Sequence, residues 1–121
     1  MCANTKGFVF VKYGPTSVGS VCPSSRALSA ALTDSVAERD DGLIVDLGAG
    51  NGPVSAQLLR GGIAADRIVA IEARESFAEG FARRCEGVPY IIGDARDIGT
   101  ILEERAPGKS ISAVISSLPF R

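Results

Sequence analysis

Apolar positions along the chain form short continuous runs separated by stretches with helical spacing, the pattern of strands buried on both faces of a sheet. Leu43-Ile44-Val45 is such a run, bounded by Asp41-Gly42 and by a glycine-rich stretch. A helix is predicted to follow through Leu58-Leu59, with Pro53 in its first turn and Gly61-Gly62 at its end. Arg67 to Ile71 reads as a second strand stopping at Glu72, and Val88 to Ile92 as a third stopping at Gly93-Asp94. Between them, Phe77 and Phe81 are four apart and are predicted to share one helix face. Ile98, Ile101 and Leu102 carry helical spacing ahead of Pro107-Gly108, and Ile111 to Ile115 is the fourth strand. Upstream, Ser24 or Ser25 is placed to cap a leading helix bearing Ala27, Leu28, Ala31, Leu32 and Val36. The opening segment is less regular: Phe8 to Val11 is a short apolar patch, broken off by Gly14 and Pro15.

Strands alternating with helices predict an α/β fold, a three-layer αβα arrangement around parallel strands joined by right-handed crossovers. The 121 residues are read as one domain, with an N-terminal segment (1–23), a leading helix (24–40) and a core (43–121). Composition narrows the chemistry. The net charge of -1 gives no global attraction to a polyanion, and Arg83-Arg84 is the adjacent basic pair. Cys2, Cys22 and Cys85 are odd in number and widely spaced, which suits neither a disulfide framework nor a metal cluster, so no metal is expected. The absence of histidine removes the usual general base near neutral pH. With no membrane-length apolar run or signal pattern, a cytoplasmic location is expected.

The chemistry-bearing feature is Asp46-Leu47-Gly48-Ala49-Gly50-Asn51-Gly52, joining the first strand to the first helix. Glycines there let the backbone turn tightly and approach a ligand, with helix-start amides facing it. A purely structural turn would share this composition, but two details narrow the reading. A dinucleotide fingerprint would need glycine at position 53, where proline stands. Asp46, two residues before the first glycine, would repel a pyrophosphate but suits an ammonium group, directly or through water. Glu72, 20 residues after Gly52, is placed to accept both ribose hydroxyls. Asp94 suits an adenine amino group, with the Ala95 amide facing a ring nitrogen, and equally suits a helix N-cap.

With those residues in place, the stretch from Val45 to Phe120 resembles the first half of a class I S-adenosylmethionine-dependent methyltransferase. Asp46, Gly48, Gly50 and Gly52 match the family's first motif, Glu72 its second-strand acid and Asp94 its adenine contact. The likeness extends to the bacterial phospholipid N-methyltransferases and the ribosomal RNA adenine dimethyltransferases. It is carried there by Val18-Gly19-Ser20-Val21-Cys22-Pro23-Ser24-Ser25-Arg26-Ala27-Leu28 and by Ser116-Ser117-Leu118-Pro119-Phe120-Arg121. The resemblance implies a Rossmann-like sheet in order 3-2-1-4, interrupted before strands 5-7, and S-adenosyl-L-methionine as cofactor. It also implies a cofactor set of Asp46, Gly48, Ala49, Gly50, Gly52, Glu72, Ala73, Asp94, Ala95 and Ser116, joined by Ser24 and Ser25 over the methionine end.

The acceptor is implied by Ser117, Leu118, Pro119 and Phe120, where amino-methylating relatives carry an Asn or Asp, a proline and an aromatic ring. Serine at the first of these positions lacks the paired contacts an amide makes to a planar adenine amine, which disfavours RNA. A small aliphatic amine asks less, and Phe120 suits its cationic product. Phosphatidylethanolamine is therefore the expected acceptor. The alternatives are an rRNA adenine N6-methyltransferase-like enzyme and a truncated, non-catalytic S-adenosylmethionine-binding module. The general base falls to a carboxylate, to a tyrosine such as Tyr13, to water or to a residue outside the chain. Phospholipid relatives carry an amphipathic helix for peripheral contact with the inner membrane. Lys6, Phe8, Phe10 and Lys12 are read instead as a buried edge segment. The fourth strand is expected to have an open edge, a candidate seam for a homo-oligomer.

Overall fold

The computed structural model describes residues 2–5, 8–12 and 42–116, the first two stretches as backbone only. The elements are β1 (Cys2–Thr5), β2 (Phe8–Lys12), β3 (Leu43–Leu47), α1 (Pro53–Arg60), β4 (Ile68–Glu72), α2 (Ala78–Arg84), β5 (Tyr90–Ile92), α3 (Ile98–Arg105) and β6 (Ile111–Ser116). They build one sheet in the order β1-β2-β6-β3-β4-β5. Its four core strands run β5-β4-β3-β6, which is the expected 3-2-1-4, and all three pairings among them are parallel.

The strands alternate their side chains between two buried faces. Ile44, Ile68, Ala70, Ala113 and Ile115 pack with Val54 and Leu58 of α1 and with Phe81 of α2. Leu43, Val45, Leu47, Val69, Ile71 and Val114 pack on the opposite face with Leu102, Ile98 and Ile101 of α3. The sheet is thus covered on both sides, as parallel sheets require. Leu58 and Phe81 are each only 1% exposed, and burying such a side chain contributes about 1.5–3 kcal/mol. By the same alternation Asp46 faces the α1 side with Ile44, which places a carboxylate beside the start of that helix.

Several boundaries differ from the sequence pattern. The first core strand extends two residues further, through Asp46 and Leu47, since the apolar run continues across a buried acid. The third is shorter, Tyr90–Ile92, because Pro89 has no amide to give the ladder, although its carbonyl accepts from Ala70. Phe77 closes a short 3-10 turn (Glu75–Phe77) ahead of α2 and is half-buried, whereas Phe81 is fully buried within the helix. α1 begins at Pro53, as expected.

The largest correction concerns the edge of the fourth core strand. It is not open: β2 pairs with β6 in parallel, with Val9 opposite Ala113 and Lys12 opposite Ser116. The row of amides and carbonyls expected to recruit a second copy is satisfied by the chain's own Phe8–Lys12, so the oligomer seam proposed there is lost. Nor is Phe8–Lys12 the outermost strand, because β1 pairs with it antiparallel. The leading helix expected over 24–40 lies outside the described residues.

Candidate functional site

Parallel strands bring the carboxyl ends of β3, β4, β5 and β6 to one side of the sheet. The chain passes from β3 to β4 on one flank and later returns to β6 on the other, so β3 is a topological switch point, where open α/β sheets receive ligands. The glycine loop leaves β3 at this point. Gly48, Gly50 and Gly52 all have left-handed backbones, with φ of 74°, 58° and 94°. Among the described residues a Cβ on Gly50 would meet nothing within 4 Å, so against these residues the loop is open at its middle glycine. Gly52 is the reverse: a Cβ there would lie 2.7 Å from Cys85 Sγ and 2.9 Å from Phe81 Cδ2. The loop is therefore seated hard on α2 at Gly52 and open at Gly50.

Backbone and side chains divide the task of holding it. The amides of Gly48 and Ala49 both donate to the Ile71 carbonyl (2.8 and 3.2 Å), and the Gly52 amide donates to Ala49 (3.0 Å). The Gly52 carbonyl accepts from the Ala56 amide at 2.9 Å and from Cys85 Sγ at 3.3 Å. Gly50 is held by side chains: its amide donates to Glu72 Oε1 (2.8 Å), and its carbonyl accepts from the Tyr90 hydroxyl (3.1 Å).

Asp46 is fully buried, and its Oδ2 accepts from the Ser55 hydroxyl at 2.6 Å. Its Oδ1 is buried without a hydrogen-bond partner among the described residues. Burial pushes the carboxyl up to about 6; hydrogen bonding from Ser55 opposes the shift, and the nearby Glu72 charge adds to it. Glu72, also buried, ends β4 and uses its second oxygen to accept from the Arg74 amide (3.0 Å). A carboxylate has about four acceptor positions, so each Glu72 oxygen retains one beyond these bonds.

Asp94 follows β5 and plays the helix-cap part of its two expected roles. Its Oδ1 accepts from the Arg96 amide (2.8 Å), capping the 3-10 turn Ala95–Asp97. The Arg96 guanidinium also grips both oxygens, at 3.1 and 2.7 Å, and holds the carboxyl down at about 2. Ala73 is exposed after β4, Ala95 is half-buried, and Ser116 is buried at the end of β6 opposite Leu47. The structure thus gathers Asp46, the three glycines, Glu72, Ala73, Asp94, Ala95 and Ser116 at the strand ends. Ser24, Ser25, Ser117, Leu118, Pro119 and Phe120 lie outside the described residues. Ser55, Tyr90 and Cys85 were missed by the sequence reading. Ser55 was open to detection, because a polar residue among Val54, Ala56 and Leu58 must find a buried partner.

The strand order, the helices on both faces and the glycine loop at the switch point define a Rossmann-like domain of the methyltransferase type. The sequence is 32% identical over 115 residues to an ornithine lipid N-methyltransferase of Singulisphaera acidiphila, matching 91% of this chain and 58% of that protein. The chain therefore spans less than two thirds of that relative's length. The chain is thus similar in sequence to a lipid N-methyltransferase, and its parallel sheet is that of a Rossmann-like methyltransferase fold. A Thermoplasma acidophilum protein of known structure aligns with 59% of this chain and 38% of its own, with a TM-score of 0.46 and 21% identity. No protein-family profile matches the sequence. Among the described residues no helix is long and apolar enough to cross a membrane, and no group of three or more potential ligands is placed to hold a metal ion.

Proposed function

We propose that this chain binds S-adenosylmethionine at the strand ends and serves the N-methylation of an amine on a lipid headgroup. The observation that carries the cofactor reading is the buried Asp46 oxygen with no partner among the described residues. A buried acceptor left unsatisfied is costly, and a ligand ammonium, direct or through water, relieves that cost. The free space over Gly50 admits the methionine moiety, and the remaining Glu72 acceptor positions match a ribose diol. Asp94 and the Ala95 amide serve the adenine, with Arg96 yielding part of its grip on Asp94; Ala73 and Ser116 flank the cofactor.

The cofactor supplies an electrophilic methyl on a sulfonium. Transfer to a neutral amine would need that methyl held in line with the nitrogen lone pair, with the proton of the methylated amine released to solvent. The residues that would hold the cofactor, Asp46 and Glu72, would thus serve alignment. Lipid as acceptor is supported by the name of the Singulisphaera acidiphila relative and by the serine at position 117. Phosphatidylethanolamine and ornithine lipid both present an aliphatic amine. Phe120 faces the methylated cation in this reading, and contact with the membrane is peripheral.

Incubation with methyl-labelled S-adenosylmethionine and vesicles containing phosphatidylethanolamine, ornithine lipid or neither, with ribosomal RNA in a parallel reaction, tests this. Label in one amine lipid is expected. Label in RNA alone would reject the lipid acceptor, and cofactor binding in calorimetry with no transfer to any amine would reduce the chain to a binding module. No binding at all would overturn the cofactor reading.

A further inference from the structure

We infer that Tyr90 is a positioning residue for the glycine loop, fixing the Gly50–Asn51 peptide in its ligand-receiving orientation before any ligand arrives. The inference rests on the reading that this loop receives S-adenosylmethionine. Three observations carry it. First, Gly50 is the open point of the loop, and both its backbone polar groups are held by side chains, Glu72 at the amide and Tyr90 at the carbonyl. The amides of its neighbours Gly48, Ala49 and Gly52 are instead tied to backbone carbonyls.

Second, the Tyr90 hydroxyl is itself held in place. The ring packs on buried Phe81 with centroids 4.5 Å apart and planes at 41°, and Phe81 in turn abuts Gly52. One side chain of β5 thus couples both ends of the open half of the loop to α2. Third, the phenol remains a donor across the physiological range. Burial, with the charges of Glu72 and Asp46, pushes it up to about 12.

The bond matters because a left-handed glycine has two broad basins to choose between, and its peptide can rotate at little cost. Glu72 alone pins only the Ala49–Gly50 peptide, through the Gly50 amide, while also being required for the ribose. Tyr90 pins the next peptide, Gly50–Asn51, through its carbonyl, so ordering of the loop does not have to be supplied by binding.

Tyr90→Phe keeps the ring and removes the hydroxyl, whereas Tyr90→Leu removes both. Hydrogen–deuterium exchange of the 48–52 amides without ligand, S-adenosylmethionine calorimetry and thermal melting are measured on each. For Tyr90→Phe the expected result is exchange at the Gly50 amide about fivefold faster and cofactor affinity about fivefold weaker, with melting close to wild type. Tyr90→Leu melts lower as well. Unchanged exchange and affinity in Tyr90→Phe overturn the inference, as does a loss confined to melting temperature. If the unsubstituted chain does not bind the cofactor, the proposed function fails, and the exchange comparison still decides whether Tyr90 orders the loop.

Discussion

Gly52→Ala tests the seating of the loop on α2. At φ 94° and ψ 26° an alanine pays the left-handed penalty, about 1–2 kcal/mol. Its methyl also arrives 2.7 Å from Cys85 Sγ and 2.9 Å from Phe81 Cδ2, and both side chains are 1% exposed with nowhere to retreat. Overpacking of that kind costs about 1–3 kcal/mol, for a total of about 2–5 kcal/mol. Gly50→Ala is the matched control: it has the same class of backbone, φ 58°, and none of the described residues lies within 4 Å of the new methyl. The gain from a stiffer unfolded chain is common to both variants and cancels in their difference. Urea unfolding should therefore place Gly52→Ala below Gly50→Ala by about 1–3 kcal/mol. Removing the sulfur, as Gly52→Ala with Cys85→Ala, should recover part of that gap, since Phe81 still crowds the methyl. Equal stabilities for the two single variants, within about 0.5 kcal/mol, would refute the argument that contact with α2, and not backbone conformation alone, selects glycine at position 52.

Four further outcomes are expected. Because the Asp46 carboxyl is raised to about 6 from 3.8, the folded state holds its proton more tightly than the unfolded chain does. Its contribution is full below about pH 4 and is lost as pH rises through about 6, at most about 3 kcal/mol; Asp46→Asn should flatten that slope in pH-dependent urea unfolding. Cofactor affinity should move the opposite way, strengthening as Asp46 ionises, and calorimetry across the same range reads it. Glu72→Gln removes the charge and half the acceptor capacity while keeping the Gly50 bond, so S-adenosylmethionine should bind about tenfold more weakly in calorimetry, with a smaller loss for a 2′-deoxy analogue. Arg96→Ala should return the Asp94 titration, followed by carboxyl carbon NMR, from about 2 toward the ordinary aspartate range.

The four core strands, the helices between them and the loop glycines were legible because each is a local pattern: an apolar run, a helical spacing, a turn. Proline at position 53 marked the helix start for the same reason. Cys2–Thr5 and Phe8–Lys12 were not read as paired strands of this sheet, since Cys-Ala-Asn-Thr has no alternation and Phe8–Val11 finds its partner only in three dimensions. Asp46, Glu72 and Asp94 were read as ligand groups, but their protein partners Ser55, Arg74 and Arg96 were not. Spacing reveals which residues reach a strand end; it does not reveal which neighbour occupies their lone pairs. Tyr90 was hidden inside an apolar run, where one hydroxyl does not disturb the pattern.

The pairing of β2 with β6 joins segments about a hundred positions apart in sequence. Closing so long a loop costs more chain entropy than the crossovers that pair β3 with β4 and β4 with β5. Until β2 docks, β6 stands at the border of the core sheet with an unpaired ladder. During that interval Phe8–Lys12 of another molecule is chemically equivalent to the chain's own copy. Protein concentration during refolding then sets whether the strand closes within one molecule or is exchanged between two, and dilution favours the monomer.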